Sequence, residues 1–167
     1  MEIINQASEK FKDKQEEICG LLFPFLRRVT VLEKEIYERS QELREQKAKL
    51  GYPPSQVGPG EKELRAEYKE RLGEIVKAGF CTEKLLSKGY GSSLANPQKY
   101  GYIDSGNCKA EFIMKTAKRA TVITHYEAGV DSMHKFVVRD VDGKWLLDEV
   151  YYGFESEPDK WYSDNIR

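Results

Sequence analysis

Apolar residues Ile4, Ala7, Phe11, Ile18 and Leu22 recur at steps of three, four and seven, with Glu, Lys and Asp between them. That spacing predicts an amphipathic helix running from the first residues to Leu22. Pro24 follows, and a proline clashes with the preceding turn of a helix, so a new helix or a kink is expected near it. From Phe25 onward Val29, Leu32, Ile36, Leu43 and Leu50 form a narrow apolar stripe. Residues 33–50 hold five Glu and five basic residues, and Glu35–Arg39 and Glu45–Lys49 stand in the favourable i,i+4 order. The reading is a long helix with one solvated face. A coiled coil fits less well, because Ser40 and Lys47 interrupt the heptad.

GYPPSQVGPG (51–60) packs three Pro and three Gly into ten residues and reads as an inter-helix loop. A helix then resumes on Leu64, Tyr68, Leu72, Ile75 and Val76, with Gly79 ending it. Thr82 is the expected N-cap of a short helix in TEKLLSK, closed by Gly89. Residues 89–108 read as a loop with one short strand near Tyr100–Ile103.

After Cys108 the period drops from 3.6 to 2. AEFIMKT, RATVITHYEA, SMHKFVVRDV and KWLLDEVYYGF are four strands rich in Val, Ile, Thr and aromatics. Their links are Ala117–Lys118, Gly129–Val130–Asp131 and Asp142–Gly143, short enough to make antiparallel neighbours. The fold class is therefore α+β: a long helical N-terminal half, then helices packed on one face of a curved antiparallel sheet. ESEPDKWYSDNIR reads as a polar, irregular tail.

Composition narrows the function. The chain has 167 residues, with 27 Lys+Arg against 28 Asp+Glu. That balance lacks the basic excess a general nucleic-acid binder uses to displace counterions. Ten Tyr, seven Phe and two Trp supply core surface that a disordered chain would lack. Cys19, Cys81 and Cys108 form no CxxC and stand near no His at zinc spacing, so they read as reduced, buried thiols. The first fifteen residues carry Glu2, Glu9 and Asp13 and no signal-peptide core. The longest apolar run, ICGLLFPFL, is too short to span a bilayer. The expected location is the cytoplasm.

Candidate chemistry is sparse. His125 and His134 lie on adjacent strands and could meet for acid–base or metal work, although no HxH or HxxxH supports a metal. Asp148 and Glu149 follow one another on a strand and should point to opposite faces, which would make Asp148 an acid or base if it faces a pocket. KYGYIDSGN and KGYGSS lack the spacing and context of a phosphate loop or a dinucleotide fingerprint. No GxSxG is present, and no cysteine neighbours a His. Charge patterning says more. From Asp148 to Asp164 there are six acidic residues against Lys160 alone, interleaved with Tyr151, Tyr152, Phe154, Trp161 and Tyr162. Rings among carboxylates suit the binding of a basic partner. Lys109, Lys115, Lys118 and Arg119 against Glu111 predict one basic strand edge.

The last hairpin, FVVRDVDGKWLLDEVYY (136–152), resembles the terminal hairpin of nuclear-transport-factor-2-like domains: an apolar strand, an Asp-Gly turn, Lys-Trp, then alternating apolar residues. The resemblance covers residues 61–153. Within that superfamily the long charged helical half and the ending VYYGF are most similar to immunity proteins of bacterial polymorphic toxin systems. It implies one domain over 1–167, with 1–50 a helical extension and 154–167 a tail, built as a cone of helices on a bent sheet. It implies a non-enzymatic binder of a cognate, basic toxin domain, with no cofactor and no metal, and an open sheet that in such folds often pairs as a homodimer. Glu155, Glu157, Asp159 and Trp161 are the expected contact residues. The alternative is a small-molecule binder, or an isomerase- or dehydratase-like enzyme, working in the conical pocket through Asp148 or His125. Enzymes of this fold use a buried acid, phenol or imidazole there, and no full set maps onto this sequence. A third alternative is a helical scaffold built on residues 25–50.

Overall fold

A computed structural model describes residues 1–91, 93, 94, 96, 98–127 and 129–166. Ser92 of the KGYGSS stretch, Ala128 at the end of a predicted strand and Arg167 of the tail lie outside the described residues. The elements are β1 (Glu2–Asn5), α1 (Lys14–Lys49), α2 (Glu61–Lys77), α3 (Glu83–Leu86), β2 (Lys109–Thr116), β3 (Arg119–Glu127), β4 (Asp131–Val141), β5 (Lys144–Phe154) and β6 (Tyr162–Asp164). The fold is α+β: a long N-terminal helix and an open six-stranded sheet in the order β1-β2-β3-β4-β5-β6.

The four predicted strands are β2 to β5, antiparallel in sequence order. Asp142 (φ 52°) and Gly143 (φ 80°) both take the left-handed conformation that a tight hairpin turn demands. Thr82 caps α3 as expected, its hydroxyl accepting the Leu85 N–H at 3.3 Å.

Four expectations are corrected. Residues 2–5 form a strand, parallel to β2, and are not helical; Gln6 and Ser8 continue the pairing with N–H donations to the carbonyls of Phe112 and Met114. The sheet is therefore mixed. No new helix begins at Pro24, because α1 runs unbroken for 36 residues. Pro24 and Gly20, whose carbonyl loses its helical partner, are both exposed to solvent. Tyr100–Ile103 contributes to a 3-10 turn at Gly101–Asp104 instead of a strand. The tail is not irregular: β6 pairs with β5, and Ile166 is buried in the core.

One core joins both halves. Ile18, Leu22, Leu26, Val29, Leu32 and Ile36 of α1 pack with Phe112, Val122, Phe136, Val138, Leu147 and Val150 of the sheet. The core residues of α1 and α2 pack against one face of the sheet. Among the described residues no helix is long and apolar enough to cross a membrane. Burial pushes the thiols of Cys19 and Cys81 up to about 12 and that of Cys108 up to about 11, which keeps them protonated and unreactive at neutral pH.

Two polar locks hold the helical hairpin. Arg71 grips Glu35 at 2.6 and 2.7 Å, and Arg39 grips Glu67 at 2.5 and 2.8 Å. Farther along, the buried Lys47 donates to the Pro54 carbonyl at 3.0 Å and pairs with Glu61 at 3.3 Å, while Glu61 accepts the Gly58 N–H at 2.9 Å. Gly58 is needed for that approach, since a Cβ there would sit 2.9 Å from Lys47 Cδ.

The first lock sets an acid limit. The hydrogen bond from Arg71 holds the Glu35 carboxyl below its ordinary 4.5, and that from Arg39 does the same for Glu67. A carboxyl lowered in the folded state stabilises above its unfolded pKa and loses that contribution as pH falls through the folded one. The melting temperature should therefore be level above about pH 5 and fall below about 4.5. The double substitution Glu35→Gln with Glu67→Gln should shallow that fall. Melts from neutral pH to about pH 3 test this, and an unchanged acid limb in the double variant would refute it.

Candidate protein-binding face

Strand alternation sends Val122 and Thr124 of β3 into the core and Thr121, Ile123 and His125 to the outer face, where Val137 and Met133, the β4 partners of Thr121 and His125, are buried as well. Register extends this outer face across the sheet. Ile123 stands opposite Lys135, which stands opposite Tyr151. The Lys135 ammonium lies 4.5 Å from the Tyr151 ring and 4.3 Å from the Trp161 ring, a cation held between two π faces. Burial lowers its pKa from the usual lysine value.

Trp161 reaches this position through a turn. Glu157 N–H donates to Phe154 O at 2.9 Å, Lys160 N–H donates to Glu157 O at 2.9 Å, and the Lys160 and Glu157 side chains pair at 3.1 Å. The turn lies flat on β5 because residue 153 is glycine: a Cβ there would meet the Lys160 carbonyl oxygen at 3.0 Å and the Trp161 ring at 3.3 Å.

At the hairpin end Arg119 and Arg139 stand directly opposite one another, an unfavourable like-charge pair unless neutralised. A β-bulge resolves it. Glu149 pairs with Val137 but Leu147 pairs with Val138, so Asp148 is the extra residue. The bulge breaks the alternation expected of Asp148 and Glu149. Both carboxylates reach Lys84, and they also stand 3.6 Å from Arg139 and Arg119 respectively. Asp148 further accepts the Thr82 hydroxyl at 2.9 Å, and Glu149 accepts the Tyr151 hydroxyl at 2.9 Å. The bond from Lys84 is the main cause that lowers the Glu149 pKa.

The acidic excess read in residues 148–164 is thus partly consumed inside the fold. Asp148 and Glu149 are tied as described, and Asp164 pairs with Lys99 at 2.7 Å. Glu155 lies 2.5 Å from His125 Nδ1 on the outer face, and Glu111 stands 3.5 Å from Nε2. Glu157 pairs with Lys160 at the rim, and Asp159 is exposed there. Glu155, Glu157 and Asp159 therefore lie at the rim of the outer face, beside Trp161. Asp148 is buried at the bulge against Thr82 and Lys84 at α3, whereas His125 lies on the outer face, so the two do not share one site.

The two histidines do not meet. His134 stands opposite Thr124 and shares its inward face, whereas His125 points outward. Inside, Tyr102 Oη lies 2.9 Å from His134 Nδ1 and 2.8 Å from Thr124 Oγ1. The rings of Tyr102 and Tyr126 stack at 3.7 Å, and Tyr100 and Phe136 close around His134. Burial pushes the Tyr102 phenol well above its ordinary value. This cluster went unread in the sequence, because Tyr102 comes from a 3-10 turn whose placement no periodicity signals.

Comparison with protein-family models, with curated proteins and with solved structures finds no match.

Proposed function

We propose that this chain is a binding protein of the immunity type, which neutralises a toxin in the same cytoplasm by covering its active site or substrate path. The observation that carries the reading is the outer sheet face, where Tyr151 and Trp161 bracket Lys135 and Glu155, Glu157 and Asp159 line the rim. Rigid rings at the centre of a face and charges at its edge are how protein interfaces divide anchoring from steering. The rim would meet basic groups of the toxin, and a stable complex should bury at least ~1,000 Å² in all. The finer fold assignment belongs to the same proposal: a meander of four strands with bulges in two of its pairings, and helices on one face, is consistent with a nuclear-transport-factor-2-like cone.

The test is capture from the native lysate followed by co-expression. The expected result is a stoichiometric basic partner that resembles the C-terminal domain of a large secreted protein, and whose toxicity this chain suppresses. A captured domain that stays toxic in its presence would overturn the reading. So would a homodimer that buries the outer face at working concentrations.

A second reading, a small enzyme or small-molecule binder, is favoured by one observation: the Tyr102 hydroxyl held between Thr124 and His134 against apolar walls. A phenol or acid with a burial-shifted pKa is the chemistry such pockets use; the known example is ketosteroid isomerase. A bound metabolite released on denaturation, and lost in Tyr102→Phe, would support it over the first.

A further inference from the structure

At the far end of the helical hairpin α1, α2 and the 51–60 loop leave two adjoining depressions. The first, of about 310 Å³, is walled by Tyr37, Leu43, Leu64 and Tyr68. The second, of about 450 Å³, lies under Tyr52, Pro54 and Val57. Arg44 from α1 and Arg65 from α2 line both.

Their electrostatic situation is unlike that of the other arginines on this hairpin. Arg39 and Arg71 each hold a carboxylate in two-point contact. Among the described residues neither Arg44 nor Arg65 has a carboxylate within 4.0 Å or any hydrogen-bond acceptor. Glu61 is the one acid that lines the depressions, and Lys47 and the Gly58 N–H already occupy its oxygens. Two arginines lining one cleft, beside aromatic and aliphatic walls, are the residue types that recognise an oxyanion carried on an apolar body.

We infer that this cleft binds a small organic anion, a phosphate or carboxylate borne on an aromatic ring, with Arg44 and Arg65 on the oxyanion and Tyr37, Leu43, Leu64 and Tyr68 around the ring. The site is built on the helical layer and does not depend on the binding role of the sheet face.

Calorimetric titration of the full chain with phenyl phosphate, benzoate, inorganic phosphate and phenol tests it. Phenyl phosphate or benzoate should bind saturably, at least ~10-fold more tightly than inorganic phosphate and than phenol. Whichever of the two wins identifies the oxyanion. Arg44→Gln with Arg65→Gln should weaken that binding at least ~10-fold while leaving the melting temperature nearly in place, since both side chains are exposed and Arg65 acts on Glu61 only at longer range, after Gly58 and Lys47. No saturable heat from either probe up to about 10 mM would overturn the inference. Equal affinity in wild type and double variant would overturn it as well.

Discussion

Glu33→Ala should destabilise the protein by about 2–4 kcal/mol, a drop in melting temperature of roughly 5–15 °C at this chain length. Glu33 is completely buried on α1, and its Oε2 accepts the Lys99 N–H at 3.1 Å. Lys99 in turn pairs with Asp164 at 2.7 Å and donates to the Asn165 carbonyl at 2.7 Å. One carboxylate thereby docks the loop that carries Tyr100 and Tyr102, and through Lys99 it reaches the C-terminal strand. Alanine would leave a cavity and a half-buried N–H without its acceptor, and each of these is costly by itself. Glu33→Gln keeps an acceptor and most of the volume, so it should lose clearly less than the alanine variant. Urea and thermal unfolding of both variants decide the matter. A Glu33→Ala protein within about 0.5 kcal/mol of wild type would show that this bond does not anchor the loop.

The second large effect concerns the outer face. Once a partner is in hand, Trp161→Ala should weaken its binding at least ~30-fold, the loss typical of a buried aromatic anchor. Tyr151→Ala should also weaken it, although part of that loss would come through Glu149, which Tyr151 holds. Glu157→Gln and Asp159→Asn stand at the solvated rim, so they should act mainly on the association rate and its salt dependence. Trp161 is only partly buried, and its loss should leave the melting temperature within a few degrees of wild type. Surface-measured affinities with a parallel melt separate the two effects. Unchanged affinity after replacement of Glu155, Glu157, Asp159 and Trp161 together would place the interface elsewhere.

What the chain determined locally is visible in its periodicities. The alternation in residues 110–154, the Asp142–Gly143 turn, the Thr82 cap and the breaker at 51–60 all predicted elements found in place, because each depends on neighbours within a few residues. The helical faces of α1 and α2 were legible for the same reason, down to Val29, Leu32, Leu64 and Leu72.

Four features had no local signature. Residues 2–5 and 162–164 are too short to carry a period, and they became strands because β2 and β5 offered free edges to pair with. Glu33 counted as one more acid of a solvated helix until Lys99 supplied a donor inside the core. Asp148 and Glu149 were expected on opposite faces until the bulge turned both toward Lys84, which lies far away in sequence. The candidate face shows the same division. Its rings and carboxylates were readable as a composition, but which carboxylates remain at the surface was decided by Lys84, Lys99, Arg119, Arg139 and His125. Periodicity records interactions within a few residues, whereas edge pairing, bulges and the neutralisation of buried charge depend on partners that only the closed fold brings together.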